Sequence, residues 1–305
     1  MKKFILVLMG GISRERKISI LSGRACVKAL LKKKYKVKIL DPQGNFISEV
    51  RKIKPKIVFN ALHGRFGEDG YVQSILEMEK IKYTHSGILA SSLAIDKEIS
   101  KKIFIQKKIN TPKFLLYNFS TNQDVCSLIR KAKISFPVVI KPISEGSSLG
   151  VYICTKKNLN NNLKKIKNYN RILVEEYIPG REIQVAVMNK KALGAIELRP
   201  KRKFYDYHAK YSKKAKTKHI MPAPLNSTKY KEVLDIARKA HFVLGCRGIT
   251  RSDFRYYKNK FYLLEVNTQP GMTNLSLVPE IAAYKGIKFE NLVEWIVKDA
   301  SYSRK

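Results

Sequence analysis

Glu265-Val266-Asn267 closes an apolar run, Phe261-Tyr262-Leu263-Leu264. Residues two apart on a strand point the same way. Glu265 and Asn267 therefore project together, and both offer the hard oxygen atoms that suit magnesium. Arg251 and Asp253 repeat the spacing in Ile249–Phe254. If the two strands pair antiparallel, Asp253, Glu265 and Asn267 converge on a metal ion and Arg251 stands beside them. The plain alternative is a pair of amphipathic strands with solvated polar faces. The tight turn Asn267-Thr268-Gln269-Pro270-Gly271-Met272, placed directly after the carboxylate, fits that alternative poorly.

A second group has the chemistry of phosphate binding. Lys141 ends Pro137-Val138-Val139-Ile140-Lys141-Pro142, and Ser144-Glu145-Gly146-Ser147-Ser148-Leu149-Gly150 follows. Glycines let a backbone come close to a ligand, successive N–H groups cradle phosphate oxygens, and a lysine adds a point charge. No Gly-Lys-Ser/Thr closes the loop, so it is not a Walker A motif. Taken alone it also reads as an ordinary hairpin turn. Two further loops sit at carboxyl ends of strands, where open parallel sheets bind ligands. They are Gly10-Gly11-Ile12-Ser13-Arg14-Glu15-Arg16 and Ala61-Leu62-His63-Gly64-Arg65-Phe66-Gly67-Glu68-Asp69-Gly70. A lone histidine is more often structural, but His63 lies among three glycines in such a loop. The G-x-G-x-x-G of a dinucleotide fold is absent.

Three units must position these groups. Phe4–Met9, Lys36–Leu40 and Ile57–Asn60 read as strands, with helices at Ser19–Leu31 and Tyr71–Lys80. This β-α-β order predicts a parallel sheet covered by helices, in a unit ending at Asp96. The second unit, 97–187, carries helices at Lys97–Lys107 and Asp124–Lys131, and strands near Phe114–Tyr117, Pro137–Pro142, Val151–Cys154 and Ile172–Glu176. The third, 188–305, takes strands at Ile183–Met188, whose first residues precede that bound, Ala192–Leu198, Gly248–Arg255 and Lys260–Val266 and a helix at Lys229–Val243. Arg199–Pro224 reads as one long polar loop rich in lysine and tyrosine, the kind that forms lids.

Composition narrows the class. The chain has 305 residues, 44% of them hydrophobic, which suits a globular protein with several cores. No apolar run is long enough to span a membrane. The Lys2-Lys3 start followed by Phe4–Met9 has a signal-peptide flavour, but a buried first strand explains it better. Cys26, Cys126, Cys154 and Cys246 are scattered, which suits free thiols in a reducing cytosol rather than disulfides or zinc. The formal charge is +37. Such charge suggests nucleic acid, yet the lysines are spread along the chain beside many isoleucines and asparagines, as an AT-rich genome would encode. No nucleic-acid-binding motif accompanies them.

In order along the chain, six motifs together resemble the D-alanine–D-alanine ligase family. They are Gly10-Gly11-x-Ser13-x-Glu15-Arg16-x-x-Ser19; Leu62-His63-Gly64-x-x-Gly67-Glu68-Asp69-Gly70; Lys141-Pro142-x-x-Glu145-Gly146-Ser147-Ser148-x-Gly150; Tyr205-Asp206-Tyr207-x-x-Lys210-Tyr211; Glu265-x-Asn267-Thr268-x-Pro270-Gly271-Met272-Thr273; and Ser276-Leu277-Val278-Pro279. The resemblance implies an ATP-grasp fold, α/β and α+β, behind an N-terminal parallel-sheet domain. It implies ATP-dependent joining of two D-alanines through an acyl phosphate, in the cytoplasm, for peptidoglycan precursor synthesis. A homodimer is implied; nucleic acid and membrane are not.

Site roles follow from the same resemblance. Lys97, Lys141 and Lys210 would meet the ATP phosphates, with Glu145, Gly146, Ser147 and Ser148 closing over them. Glu175, Glu176, Tyr177 and Ile178 would line the adenine pocket, and Glu182 would take the ribose. Asp253, Glu265 and Asn267 would hold two magnesium or manganese ions. Glu15, with His63 nearby, would bind the first D-alanine, and Ser276 and Leu277 the carboxylate of the second. Arg251 and the Gly271 N–H would stabilise the oxyanion. Hydrogen bonds among Glu15, Ser147 and Tyr211 would fix the lid. Tyr211 resembles ligases that accept D-alanine rather than D-lactate as second substrate. His208 and Gln269 depart from the common pattern. Two rivals remain open: another ATP-grasp carboxylate–amine ligase, and a nucleic-acid-binding protein on a retired ligase fold.

Overall fold

The computed structural model describes residues 4–121, 123–200 and 217–302. Three sheets carry the architecture. The first is fully parallel, in the order β2 (Val37–Leu40), β1 (Ile5–Leu8), β3 (Ile57–Asn60), β4 (Lys82–Tyr83). All four β1 residues are buried, as a central parallel strand requires. Its covering helices are α1 (Arg16–Lys32), α2 (Phe46–Ile53) and α3 (Tyr71–Met78). Gly23 lets α1 cross close over Met9: a Cβ there would lie 2.4 Å from the methionine Cβ.

Helices α4 (Ile88–Ile95) and α5 (Lys97–Gln106) come next. Asp96 caps α5, accepting from the Glu98 and Ile99 N–H groups. The second sheet is antiparallel, in the order β5 (Phe114–Asn118), β8 (Arg171–Glu176), β6 (Val138–Pro142), β7 (Tyr152–Cys154). It is backed by α6 (Val125–Lys131) and α7 (Leu159–Lys165). The third is also antiparallel, in the order β11 (Lys218–Ile220), β10 (Lys191–Arg199), β9 (Arg181–Met188), β12 (Ile249–Tyr257), β13 (Lys260–Asn267). Helices α8 (Ser227–Val243), α9 (Leu277–Tyr284) and α10 (Phe289–Lys298) complete the chain.

Strand β9 pairs in the third sheet, among the strands expected there, and the sheets change between 176 and 181. One sequence expectation changes. The segment Arg199–Pro224 is not one loop: Lys218–Ile220 pairs with β10 as an edge strand. Tyr205, Tyr207, Lys210 and Tyr211, the expected lid, lie outside the described residues.

How the cores are divided matters for the site. One core joins β1, α1 and β3 to β9, β10, α9 and α10. Another packs α4, α5 and α8 on the opposite face of the third sheet. The second sheet keeps an apolar core of its own, from Val125 to Val174. The first and third sheets are thus one apolar body, and the second is joined to it through polar contacts. Among the described residues no helix is long and apolar enough to cross a membrane.

His85 sits on the seam between the first and third sheets. It is buried, with φ of 69°, edge-on to Phe59 and close beneath Gly248. Burial, with the nearby charges of His63 and Arg247, lowers its pKa to about 3. An unfolded chain takes up the proton near the ordinary value of about 6.5. Stability is therefore full above that pH and falls on acidification toward 3. The expected loss from His85 is roughly 2 kcal/mol at pH 5. His85→Asn, which tolerates the left-handed backbone, should show a smaller drop in melting temperature between pH 7 and pH 5. An equal drop in both proteins would contradict this.

Candidate active site

One face of the third sheet forms the floor of a cleft. Cross-strand register sets Glu182 beside Arg255, Gln184 beside Asp253, Asp253 beside Glu265, and Arg251 beside Asn267. Neighbours across a ladder share a face, so seven polar side chains from three strands form one surface. A bulge follows the Asp253–Glu265 pair, with Phe254 opposite Leu263. It breaks the alternation and lets Leu264 and Glu265 both line the cleft.

The second sheet supplies the roof. The loop between β6 and β7 carries Glu145, Gly146, Ser147 and Ser148 over the floor. Ser147 and Ser148 have φ of 50° and 60°, a conformation that costs about 1 kcal/mol each for non-glycine residues. Lys97, first residue of α5, spans roof and floor. Its ammonium donates to the Glu145 carbonyl at 2.6 Å and lies 3.3 Å from Glu265 Oε2.

The cleft has two lobes that share Lys97, Glu145, Gly146 and Glu265. One is lined by Val139, Lys141, Ser148, Glu175, Glu176, Tyr177, Ile178, Glu182, Asp253 and Arg255. Lys141 Nζ donates to Glu175 Oε1 at 2.6 Å, and Lys101 Nζ is 3.0 Å from Glu175 Oε2. Burial pushes the Glu175 carboxyl up, but the charges of Lys101 and Lys141 outweigh it and hold it below the ordinary range. Burial also lowers the Lys101 ammonium to about 8. Arg255 reaches Glu182 at 3.3 Å.

The other lobe is lined by Glu15, His63, Glu68, Ser147, Gln184, Arg251, Asn267, Gly271, Ser276 and Leu277, among others. Glu15 is 6% exposed and accepts a hydrogen bond from the Ser147 hydroxyl. A Cβ on Gly64 or on Gly146 would lie 2.7 Å from Glu15 Oε2, so glycines from two loops make room for this carboxylate. His63 is fixed at both ring nitrogens, Nδ1 to Glu68 at 3.0 Å and Nε2 to Ser22 Oγ at 3.1 Å. Burial raises the Glu68 carboxyl above its ordinary range, against the pull of His63.

Arg251 makes a two-point contact with Asp253, Nε to Oδ1 at 2.7 Å and Nη2 to Oδ2 at 3.0 Å. That fixes the plane of the guanidinium. Asn267 Oδ1 accepts from the Gln269 N–H at 3.0 Å, and Gln269 Nε2 donates to the Leu62 carbonyl. The turn after β13 is thereby tied to the His63 loop. Among the described residues no three His, Cys, Asp or Glu side chains gather as a metal cage. Asp253, Glu265 and Asn267 offer two carboxylates and an amide. That is a fitting donor set for magnesium shared with phosphate oxygens.

Every described residue given a site role in the sequence thus lines one cleft or its shared wall. Lys210 and Tyr211 lie outside the described residues. Sequence reasoning missed Lys101, Gln184 and Arg255, and quoted Glu68 in the His63 loop without giving it a role. Lys101 stands four residues after Lys97 on one helix face, and Gln184 two after Glu182 on a strand, so spacing held a signal for both. Ser147→Ala removes the hydroxyl that holds Glu15. Amide exchange across 144–150 should then rise about tenfold, measured by mass spectrometry. Unchanged protection would mean that the Lys97 contact to Glu145 alone holds the loop.

A family model described as the D-ala D-ala ligase C-terminus matches residues 105–298, and one described as the N-terminus matches 42–86. A D-alanine–D-alanine ligase of Pelagibacter ubique is 59% identical over 305 residues, covering 100% of both chains. One from Wolbachia pipientis wMel is 48% identical, covering 97% of this chain and 94% of its own. The crystal structure of D-alanine–D-alanine ligase from Bacillus anthracis complexed with ATP is similar at TM-score 0.85 and 30% identity, over 97% of each chain.

Proposed function

The chain belongs to the D-alanine–D-alanine ligase family, and from that premise we propose that it joins two D-alanines into D-alanyl-D-alanine at the expense of ATP. The observation that carries this reading is the shared wall of the two lobes. A nucleotide in the Lys141 lobe and a carboxylate beside Glu15 would meet at Lys97, Gly146 and Glu265.

A carboxylate is a poor acyl donor at neutral pH. Transfer of the γ-phosphoryl group to the first D-alanine gives an acyl phosphate and ADP. The amine of the second D-alanine attacks the acyl carbon, phosphate leaves, and a proton is lost from nitrogen. Lys97 and Lys141 balance phosphate charge, and Glu182 receives the ribose. Asp253, Glu265 and Asn267 would hold magnesium or manganese, which neutralises phosphate charge when bound. Glu15 takes the first ammonium. The N-terminus of α9 at Ser276 and Leu277 favours the second carboxylate. Arg251, its plane set by Asp253, and the Gly271 N–H face the tetrahedral oxyanion. The roof loop excludes water from the acyl phosphate.

Peptidoglycan precursor supply, a cytoplasmic setting and a homodimer belong to the same proposal. Product analysis with ATP, magnesium and D-alanine should give the dipeptide, ADP and phosphate. Arg251→Ala should lower kcat about 10²-fold, as loss of an oxyanion donor does. Equal turnover with L-alanine would sink the proposal, and D-lactate taken as readily as D-alanine would move it to the depsipeptide class.

A further inference from the structure

Lys101 is 0% exposed, and its partner Glu175 is 3% exposed. The lysine is on α5, whose Phe104 packs into the core on the third sheet. The glutamate is on β8 of the second sheet. Their 3.0 Å contact therefore crosses the polar seam between the two bodies. Lys101 Nζ also donates to Thr111 Oγ1 at 2.7 Å, and that hydroxyl donates to the Leu263 carbonyl at 2.7 Å on β13. The ammonium is thus anchored to the floor, two residues before Glu265.

Both carboxylate oxygens of Glu175 face lysines: Oε1 accepts a hydrogen bond from Lys141 at 2.6 Å, and Oε2 forms an ion pair with Lys101 at 3.0 Å. The carboxylate thus stands between the two ammonium groups.

We propose that Lys101 is a positioning residue for nucleotide binding, holding Glu175 across the seam so that the Lys141 ammonium is presented to the phosphates. The role rests on the reading of the Lys141 lobe as the nucleotide side. Lys101 touches neither substrate, so its loss acts on ATP and not on the chemical step.

The test is calorimetric titration of ATP with magnesium, paired with steady-state kinetics on the full chain. Lys101→Met should raise the Kd and KM for ATP about tenfold, leave KM for D-alanine within twofold, and change kcat less than threefold. In a Glu175→Gln background the same substitution should change ATP binding less than twofold, because the two residues act as one unit. A merely structural lysine would weaken both substrates alike and by the same factor in either background, and that result overturns the role. Lys141→Met separates the two readings. If it weakens ATP binding and Lys101→Met does not, the role of Lys101 falls alone. If neither weakens it, the assignment of the nucleotide lobe falls and the role with it. Should Lys101→Met fail to fold, Thr111→Val removes the anchoring hydroxyl without removing charge. About threefold weaker ATP binding is then expected, and unchanged binding overturns the proposal.

Discussion

Charge taken out of water must be met by charge or by hydrogen bonds, and the cleft is organised by that constraint. Glu15, Lys97, Lys101, Lys141, Glu175, Glu182 and Asp253 are all buried. Each has a partner from another strand, helix or loop, apart from Asp253, whose Arg251 is two residues away. A set of buried ions settled in this way tolerates little drift. Moving one strand by a residue would turn its carboxylate into the apolar core on the far face.

The same constraint explains why the apolar cores are divided as they are. The parallel sheet and the third sheet share a core built from β1, α1, β9, β10 and the C-terminal helices. The second sheet has a separate one. Across that seam run Glu15 to Ser147, Lys97 to the Glu145 carbonyl, Lys101 to Glu175, and Arg14 to Tyr169. Polar contacts of this kind weaken when water enters, whereas an apolar core resists parting.

Much of this was legible in the sequence where a local rule applied. The two-residue spacing of Arg251 with Asp253, and of Glu265 with Asn267, gave the floor, and the pairing that places them is local to one hairpin. Glycine loops after β1 and β3 gave the Glu15 and His63 wall. Other features obey no local rule. Helix α4, Ile-Leu-Ala-Ser-Ser-Leu-Ala-Ile, has apolar residues on its exposed side too, Leu89 among them, so no amphipathic period announces it. Helix α9 holds Pro279, which reads as a break, yet the first turn needs no N–H there. The Lys101 to Glu175 contact joins residues far apart in sequence and needs the packed seam to exist.

The second sheet is the roof for both lobes, and a single loop, from Glu145 to Ser148, touches each. Whatever lifts that loop also parts Ser147 from Glu15, so the two compartments share one hinged cover.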